Sequence, residues 1–434
     1  MSSLSSFEAE IERHYRHNYI VNVLDGTTFW LGASFIAYRT ILPAYIANLT
    51  DSKLMIGLLS TIISTGWLLP QLFTANATQR LPVKKVSPVR WGFFTERLPV
   101  FLMIPGAWLA TINTQLALIV FFILVAWHLV GAGVVAIGWQ DMIAKVIPIQ
   151  KRGRFFGLTN FGGTATGVLG ASLAGWFLAN HDFPYNYMLC FIFASLFIFI
   201  SWIFLAMTRE PAREPKDASV SDIEFWINLP NILCSDHNFR RYLISQSVIT
   251  GGNISLGFLA VYAIQRWGLP DSWVGIFTTC MLIGQALSNL FFGWLADRKG
   301  HKLILELGVL ATIISIVIAM LAPNPRWFYA VFVLSGMYAA GSMLSGIMIA
   351  FEFCDIDIRP TYIGLNNTIP GIFSAIMPII GAWLIETYGY PVLFYFALVF
   401  GTLGLFMLRW WVQEPREVRL QENQAGQSSK KYKA

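Results

Sequence analysis

Apolar runs of about 20 residues recur along this chain, each long enough to cross a hydrocarbon core about 30 Å thick as a helix. LALIVFFILVAWHLVGAGVV (116–135) is one of them. Lipid offers no partner to backbone N–H and C=O groups, so only helices or closed barrels can span it. Long runs without period-two alternation select helices. The expectation is an all-α integral membrane protein with spans at about 20–47, 54–75, 91–111, 115–139, 155–179, 187–207, 241–264, 273–296, 303–322, 327–350, 363–386 and 390–411. Breakers separate many of them, among them Pro148, Pro184, Pro270, Pro323, Pro325 and Gly389 to Pro391. The start, FEAEIERHYRHNY, is charged and amphipathic rather than laid out as a signal peptide, so the first span is expected to stay in the mature protein.

Charge placement gives the orientation. Twelve spans put both termini on one side. With that side inside, 25 of the 30 Lys and Arg fall in inner segments, and only Lys53, Arg266 and Arg326 fall in outer loops. Both termini are therefore expected to be cytoplasmic, at a plasma (inner) membrane. The net charge of +6 is a topology signal and not a nucleic-acid footprint. The four cysteines form no CxxC and no metal-type cluster, and no GxxxxGK[ST], HExxH or GxSxG occurs. No cofactor, metal, nucleic-acid partner or enzymatic role is expected. The predicted organisation is a six-helix bundle at 1–207, a cytoplasmic linker at 208–240, a second six-helix bundle at 241–411 and a polar tail at 412–434. In the linker, Ser221 and Glu224 form a capping-box pattern before IEFWINL, expected to lie along the inner membrane surface.

The two halves repeat. Residues 56–80 align without gaps to 274–298, matching Gly57 to Gly275, Gly66 to Gly284, Phe73 to Phe291 and Arg80 to Arg298. KVIPIQKRGRFFGLTN (145–160) aligns to EFCDIDIRPTYIGLNN (352–367), matching Arg152 to Arg359, Gly157 to Gly364 and Asn160 to Asn367. Repeated helical halves are a transporter architecture, with a site near the midplane.

GWLADRKGHK (293–302) follows the eighth span and concentrates charge in an otherwise greasy chain, 12% charged against 56% hydrophobic. It resembles the loop signature G-x-x-x-D-R-x-G-[RKH]-[RK] of the major facilitator superfamily. Gly293, Asp297, Arg298, Gly300, His301 and Lys302 fill its positions, and Glu352 with Arg359 resembles a further family element, E-x6-R. The resemblance covers nearly the whole chain and implies two pseudo-repeated six-helix bundles, with spans 1, 4, 7 and 10 lining a cavity. Asp297 is expected at the N-terminus of a neighbouring helix near Phe155. Arg298 is expected to pair with Glu352, and Glu352 with Arg359, as a cytoplasmic latch that biases inward-open against outward-open states. The N-terminal half departs from the signature: Ala75, Gln79, Pro82 and Val83 stand at the Gly, Asp, Gly and His positions, and Lys145 stands for Glu352. An asymmetric latch is expected, electrostatic on the C-terminal half and steric or hydrophobic on the other. The glycines of span 5 lack the exporter-type proline and read as packing.

Ionisable groups inside spans are costly, so each is a candidate for function. Asp25 and Arg39 are expected on one face of span 1, about 21 Å apart along the helix. Asp25 is a candidate proton carrier or a helix-start carboxylate. Arg39 is a candidate ligand for a polar or anionic solute group, or a side chain snorkelling outward. His128 is a proton relay or a packed, satisfied histidine. Glu96 and Arg97 are expected as local salt bridges on the cytoplasmic side. Trp139, Asn253, Tyr262 and Tyr338 are further cavity candidates, with Trp30 alongside Trp139 unless both belong to an interface belt. The expected function is proton-coupled secondary transport of a small organic solute by alternating access, in a chain functional as a monomer and partnered by lipid. A non-transporting sensor or lipid-binding protein of the same fold stays open because of the degenerate N-terminal loop.

Overall fold

The computed structural model describes residues 6–79, 81–212, 233–346, 348–353 and 359–416, and the described residues are helical throughout apart from short connections. Their packing groups them into two units, one within 1–219 plus 257–283 and one within 220–256 plus 284–434. The predicted amphipathic stretch at 223–229 and the polar tail from 421 lie outside the described residues.

In the first unit, α1 (Ser6–Ser34) ends early, and a turn region over 35–40 leads into α2 (Ile41–Leu49). Span 1 is therefore not one continuous helix, and the expected shared face of Asp25 and Arg39 does not hold. Pro43 supplies the reason: it has no N–H to give the carbonyl of residue 39, and its ring clashes with that carbonyl in a helix. Next come α3 (Lys53–Gln79), two π-helical turns at Ser87–Trp91 and Phe93–Arg97, and α4 (Leu98–Trp108). Then follow α5 (Thr114–Val146), α6 (Ile149–Asn180) and α7 (Tyr185–Ala206). The α5 start is capped by Asn113, whose side chain accepts from the Gln115 and Leu116 amides. Helix α1 packs against α6 and α7, and α5 packs against α3 and α4.

Span 7 is broken as well. Its first piece, α8 (His237–Gly252), passes through a 3-10 turn at Asn253–Ser255 to α9 (Leu259–Trp267). Asp236 caps α8 by accepting from the Phe239 amide at 2.8 Å. Then come α10 (Ser272–Lys299), α11 (His301–Leu321), α12 (Trp327–Ser345), α13 (Met348–Phe353), α14 (Arg359–Tyr388) and α15 (Tyr390–Phe406), with a π-helical turn at Met407–Trp411. In the second unit α11 lies against α12 and α15, and α8 against α14 and α15. Its core gathers Phe239, Tyr242, Leu243, Ile349, Tyr362 and Leu408.

Eight helical stretches among the described residues are long and apolar enough to cross a membrane, at expected spans 4 and 6 to 12. Spans 1, 2, 3 and 5 are helical too. They carry more polar residues or interruptions, as in the His-, Arg- and Asn-bearing α1 and the Gly- and Thr-rich α6.

Candidate functional site

Three spans of the first unit meet at a buried polar cluster, with span 6 closing it. Asp25 of α1 is 5% exposed, and its Oδ1 accepts from the Ser201 hydroxyl of α7 at 2.6 Å. The Trp139 indole of α5 is within hydrogen-bonding reach of the same carboxylate, and the charges of Arg97 and Glu96 act on it. Glu96 and Arg97 form a buried ion pair on the π-helical turn of span 3. They were expected as a local pair; the pair exists, and at 5% and 4% exposure both residues are buried.

His128 of α5 is buried at 2% exposure. Its Nδ1 lies 2.7 Å from the Glu96 carbonyl oxygen, and its Nε2 lies 3.0 Å from the Tyr38 hydroxyl. A carbonyl oxygen only accepts, so Nδ1 carries the proton, and a neutral ring leaves Nε2 to accept from Tyr38. Gly131 makes this approach possible: a Cβ there would meet the Thr95 carbonyl oxygen at 1.8 Å. Gly92 leaves room for the Arg97 guanidinium in the same way, since a Cβ would lie 2.8 Å from Nη1. The π-helical turns complete the arrangement, because a wider turn re-aims side chains and such segments recur at functional sites.

Arg39 sits half-buried in the break between α1 and α2. Trp30 is 42% exposed and lies against Gly163 of α6. In the second unit, Asn253 Nδ2 donates to the Tyr338 hydroxyl at 2.7 Å, joining the break in span 7 to span 10. The Tyr262 hydroxyl accepts from Arg266 at 2.7 Å, a contact within α9 itself.

The charged ends of the helices differ from expectation. Glu352 pairs with Arg416 at 2.9 Å, while the Arg298 guanidinium lies 4.3 Å over the Trp294 ring, so the expected Arg298–Glu352 pair is not formed. Lys302 is 6% exposed; it lies 3.5 Å from Glu306 and donates to the Arg409 carbonyl at 3.2 Å, a packing role within its own unit. Gly300 takes φ +87°, and a Cβ there would stand 2.5 Å from Glu414 Oε1. Gly293 has open space around it. Arg80 and the side chains of Arg152, Asp297 and Arg359 lie outside the described residues.

The first unit also carries an electrostatic network near the ends of its helices. The buried Glu210 carboxylate accepts from the Lys84 and Lys85 amides at 2.8 and 2.7 Å and pairs with Lys145 at 2.7 Å. The acid comes from the segment after span 6, not from the loop signature. Burial lowers the Lys84 and Lys85 side-chain pKa values below the usual lysine range. A signal for it was present: Glu210-Pro211 and Glu414-Pro415 each follow the last span of a half.

Eight helical stretches long and apolar enough to cross a membrane, in a chain that also buries a cluster of ionisable groups, define a multi-pass α-helical integral membrane protein. The chain belongs to the Major Facilitator Superfamily, whose family model matches residues 24–270 and 242–433. An uncharacterized MFS-type transporter of Bacillus subtilis, YfkF, is 22% identical over 366 residues, 80% of this chain and 83% of that protein. The niacin transporter NiaP of Acinetobacter baylyi is 23% identical over 139 residues, 32% of each chain. The gallate transporter of Pseudomonas putida is 27% identical over 202 residues, 46% of this chain and 44% of that one. The chain thus spans less than half the length of the latter two. A mutant form of the nucleoside transporter NupG has a TM-score of 0.69 at 12% identity, covering 89% of this chain and 98% of that one. A D-xylose-proton symporter has a TM-score of 0.65 at 14% identity, covering 92% and 98%. At those identities the likeness establishes the fold.

Proposed function

We propose that this protein is a secondary transporter of a small organic solute, coupled to protons and working by alternating access with both termini cytoplasmic. The observation that carries the reading is the Asp25 cluster: a carboxylate buried beside Ser201, Trp139 and the Glu96–Arg97 pair. A carboxylate held in a bundle interior is costly unless it has work to do there, and proton carriage is the work such groups do in transporters. The His128–Tyr38 hydrogen bond extends the polar chain from Glu96 towards the break between α1 and α2, where Arg39 lies. Asn253 and Tyr338 form the matching polar contact beside the break in span 7. Discontinuous helices of this kind hold substrate and coupling ions in transporters.

The Lys145–Glu210 and Glu352–Arg416 pairs act in this reading as charge clamps at one end of each bundle. Two relatives bear the names of aromatic acids, niacin and gallate, so these are the first solutes to test. Thermal stability of the purified protein at pH 5.5 and 7.5 across a solute library identifies the ligand, since a molecule that binds the native state raises its melting point by mass action. Flux in liposomes then tests coupling. Asp25→Asn is expected to abolish accumulation driven by a pH gradient while sparing solute exchange. Undiminished uphill uptake in that variant removes Asp25 from the coupling role.

A further inference from the structure

The breaks in spans 1 and 7 occupy the same place in the repeat. The alignment of 56–80 with 274–298, extended back without a gap, carries the interruption at 35–40 onto the one at 253–258. Each break is tied to the fourth span of its own half by a side-chain hydrogen bond. In the first half the Tyr38 hydroxyl lies 3.0 Å from His128 Nε2; in the second, Asn253 Nδ2 donates to the Tyr338 hydroxyl at 2.7 Å. The alignment of 145–160 with 352–367, extended likewise, sets Tyr338 against Gly131, three residues from His128. Asn253 falls against Phe35, three residues from Tyr38. The second tie is thus the first one moved by about one helical turn on both elements.

An amide and a phenol make the second tie, and neither exchanges a proton near neutral pH. The two ties therefore share a position and not a titration. The surroundings of His128 agree with this. Its Nδ1–H donates to the Glu96 main-chain carbonyl at 2.7 Å, an oxygen that accepts a hydrogen bond but takes up no proton. A proton arriving at Nε2 from the Tyr38 side has no exit through Nδ1. The charged groups that act on the ring are Glu96 and Arg97, which form the ion pair on the π-helical turn and also act on Asp25.

We propose that His128 is a positioning residue: a neutral ring that joins the break in span 1 to the turn carrying the Glu96–Arg97 pair, so that a change of charge at Asp25 reaches the break without a proton passing through the histidine. The inference rests on the reading of Asp25 as the coupling carboxylate and gives that carboxylate a route to the break. With Asp25 charged, two carboxylates attract Arg97; with Asp25 protonated, Glu96 alone does so. The Glu96 main chain shifts with its side chain, and the two hydrogen bonds of the ring carry the shift to Tyr38.

The test needs no solute. Solid-state NMR of the full-length chain, isotope-labelled at histidine and held in lipid bilayers, reads the protonation of each ring nitrogen. His128→Asn, or His128→Gln if the first does not fold, identifies its signals among the six histidines. From pH 5.0 to 8.5, His128 is expected to keep a proton on Nδ1 and none on Nε2. A doubly protonated ring anywhere in that range overturns the proposal. Amide hydrogen exchange over 35–41, followed by mass spectrometry, reads the link. Tyr38→Phe is expected to speed it about fivefold, the change that one net hydrogen bond makes. Asp25→Asn, a stand-in for the protonated acid, is expected to shift that exchange by about twofold or more in an otherwise wild-type chain and not at all in Tyr38→Phe. No shift in either background, or an equal shift in both, overturns the link. Undiminished uphill uptake in Asp25→Asn removes that residue from coupling but leaves the ring protonation and the Tyr38→Phe effect unchanged, so the two failures separate.

Discussion

Glu210 ties together three parts of the first unit with one side chain. Its oxygens accept two backbone amides in the connection before span 3 and the ammonium of Lys145 at the end of α5. Removing one member of a buried pair strands the other, whereas replacing both leaves less unsatisfied. Glu210→Gln is expected to cost about 2 kcal/mol, with Lys145→Met/Glu210→Met costing less than the sum of its parts. A double-mutant cycle read by thermal unfolding checks this. The residues found from sequence were those whose chemistry jars with their surroundings. Asp25 and His128 are ionisable groups inside apolar runs, and both prove buried. Glu96 and Arg97 stand near a span edge, where charge is ordinary, so nothing local marked them as interior. Tyr38 and Ser201 became relevant only through what they touch.

The elements carry their own logic, and much of it lies in the interruptions. Pro43 breaks span 1, and the run of Gly251, Gly252 and Asn253 marks the break in span 7. Both signals stand in the sequence, yet hydrophobicity continues across them, so a reading by apolar length joins the pieces. The π-helical turns of span 3 left no such mark. They persist because Gly131 of α5 lets the backbone of Thr95 come close enough for His128 to reach Glu96. Gly131→Ala is therefore expected to destabilise by about 3 kcal/mol through overpacking against backbone, which cannot swing aside as a side chain can. A melting curve in detergent checks it. A fall no larger than that of an exposed-face alanine variant would mean that span 3 yields at no cost.

At the scale of the whole molecule, the repeat organises the charge. Lys145 and Glu352 occupy matching positions in the two halves with opposite signs, and each found a partner beyond the last span of its half, Glu210 and Arg416. Both partners stand in the segments that follow the bundles, while the expected contacts of Asp297 and Arg359 fall on side chains outside the described residues. Orientation is testable on intact cells with a cysteine-free chain. Asn324→Cys is expected to react with a membrane-impermeant maleimide from outside, and Lys299→Cys only after permeabilisation. The reverse pattern would invert the proposed topology.

The helical membrane fold, the two-fold repeat and the family are legible in the residues alone, because each follows from patterns that survive averaging over many residues. Apolar length reflects the thickness of the bilayer, and no single contact has to be known to read it. Which polar groups meet is set by the folded packing. Ion pairs and hydrogen bonds act over a few ångströms; helix packing brings residues 25 and 201 that close, and the chain after α7 brings 210 to 145. Where a helix breaks or widens is decided in the same way, by the neighbour whose glycine makes room for it.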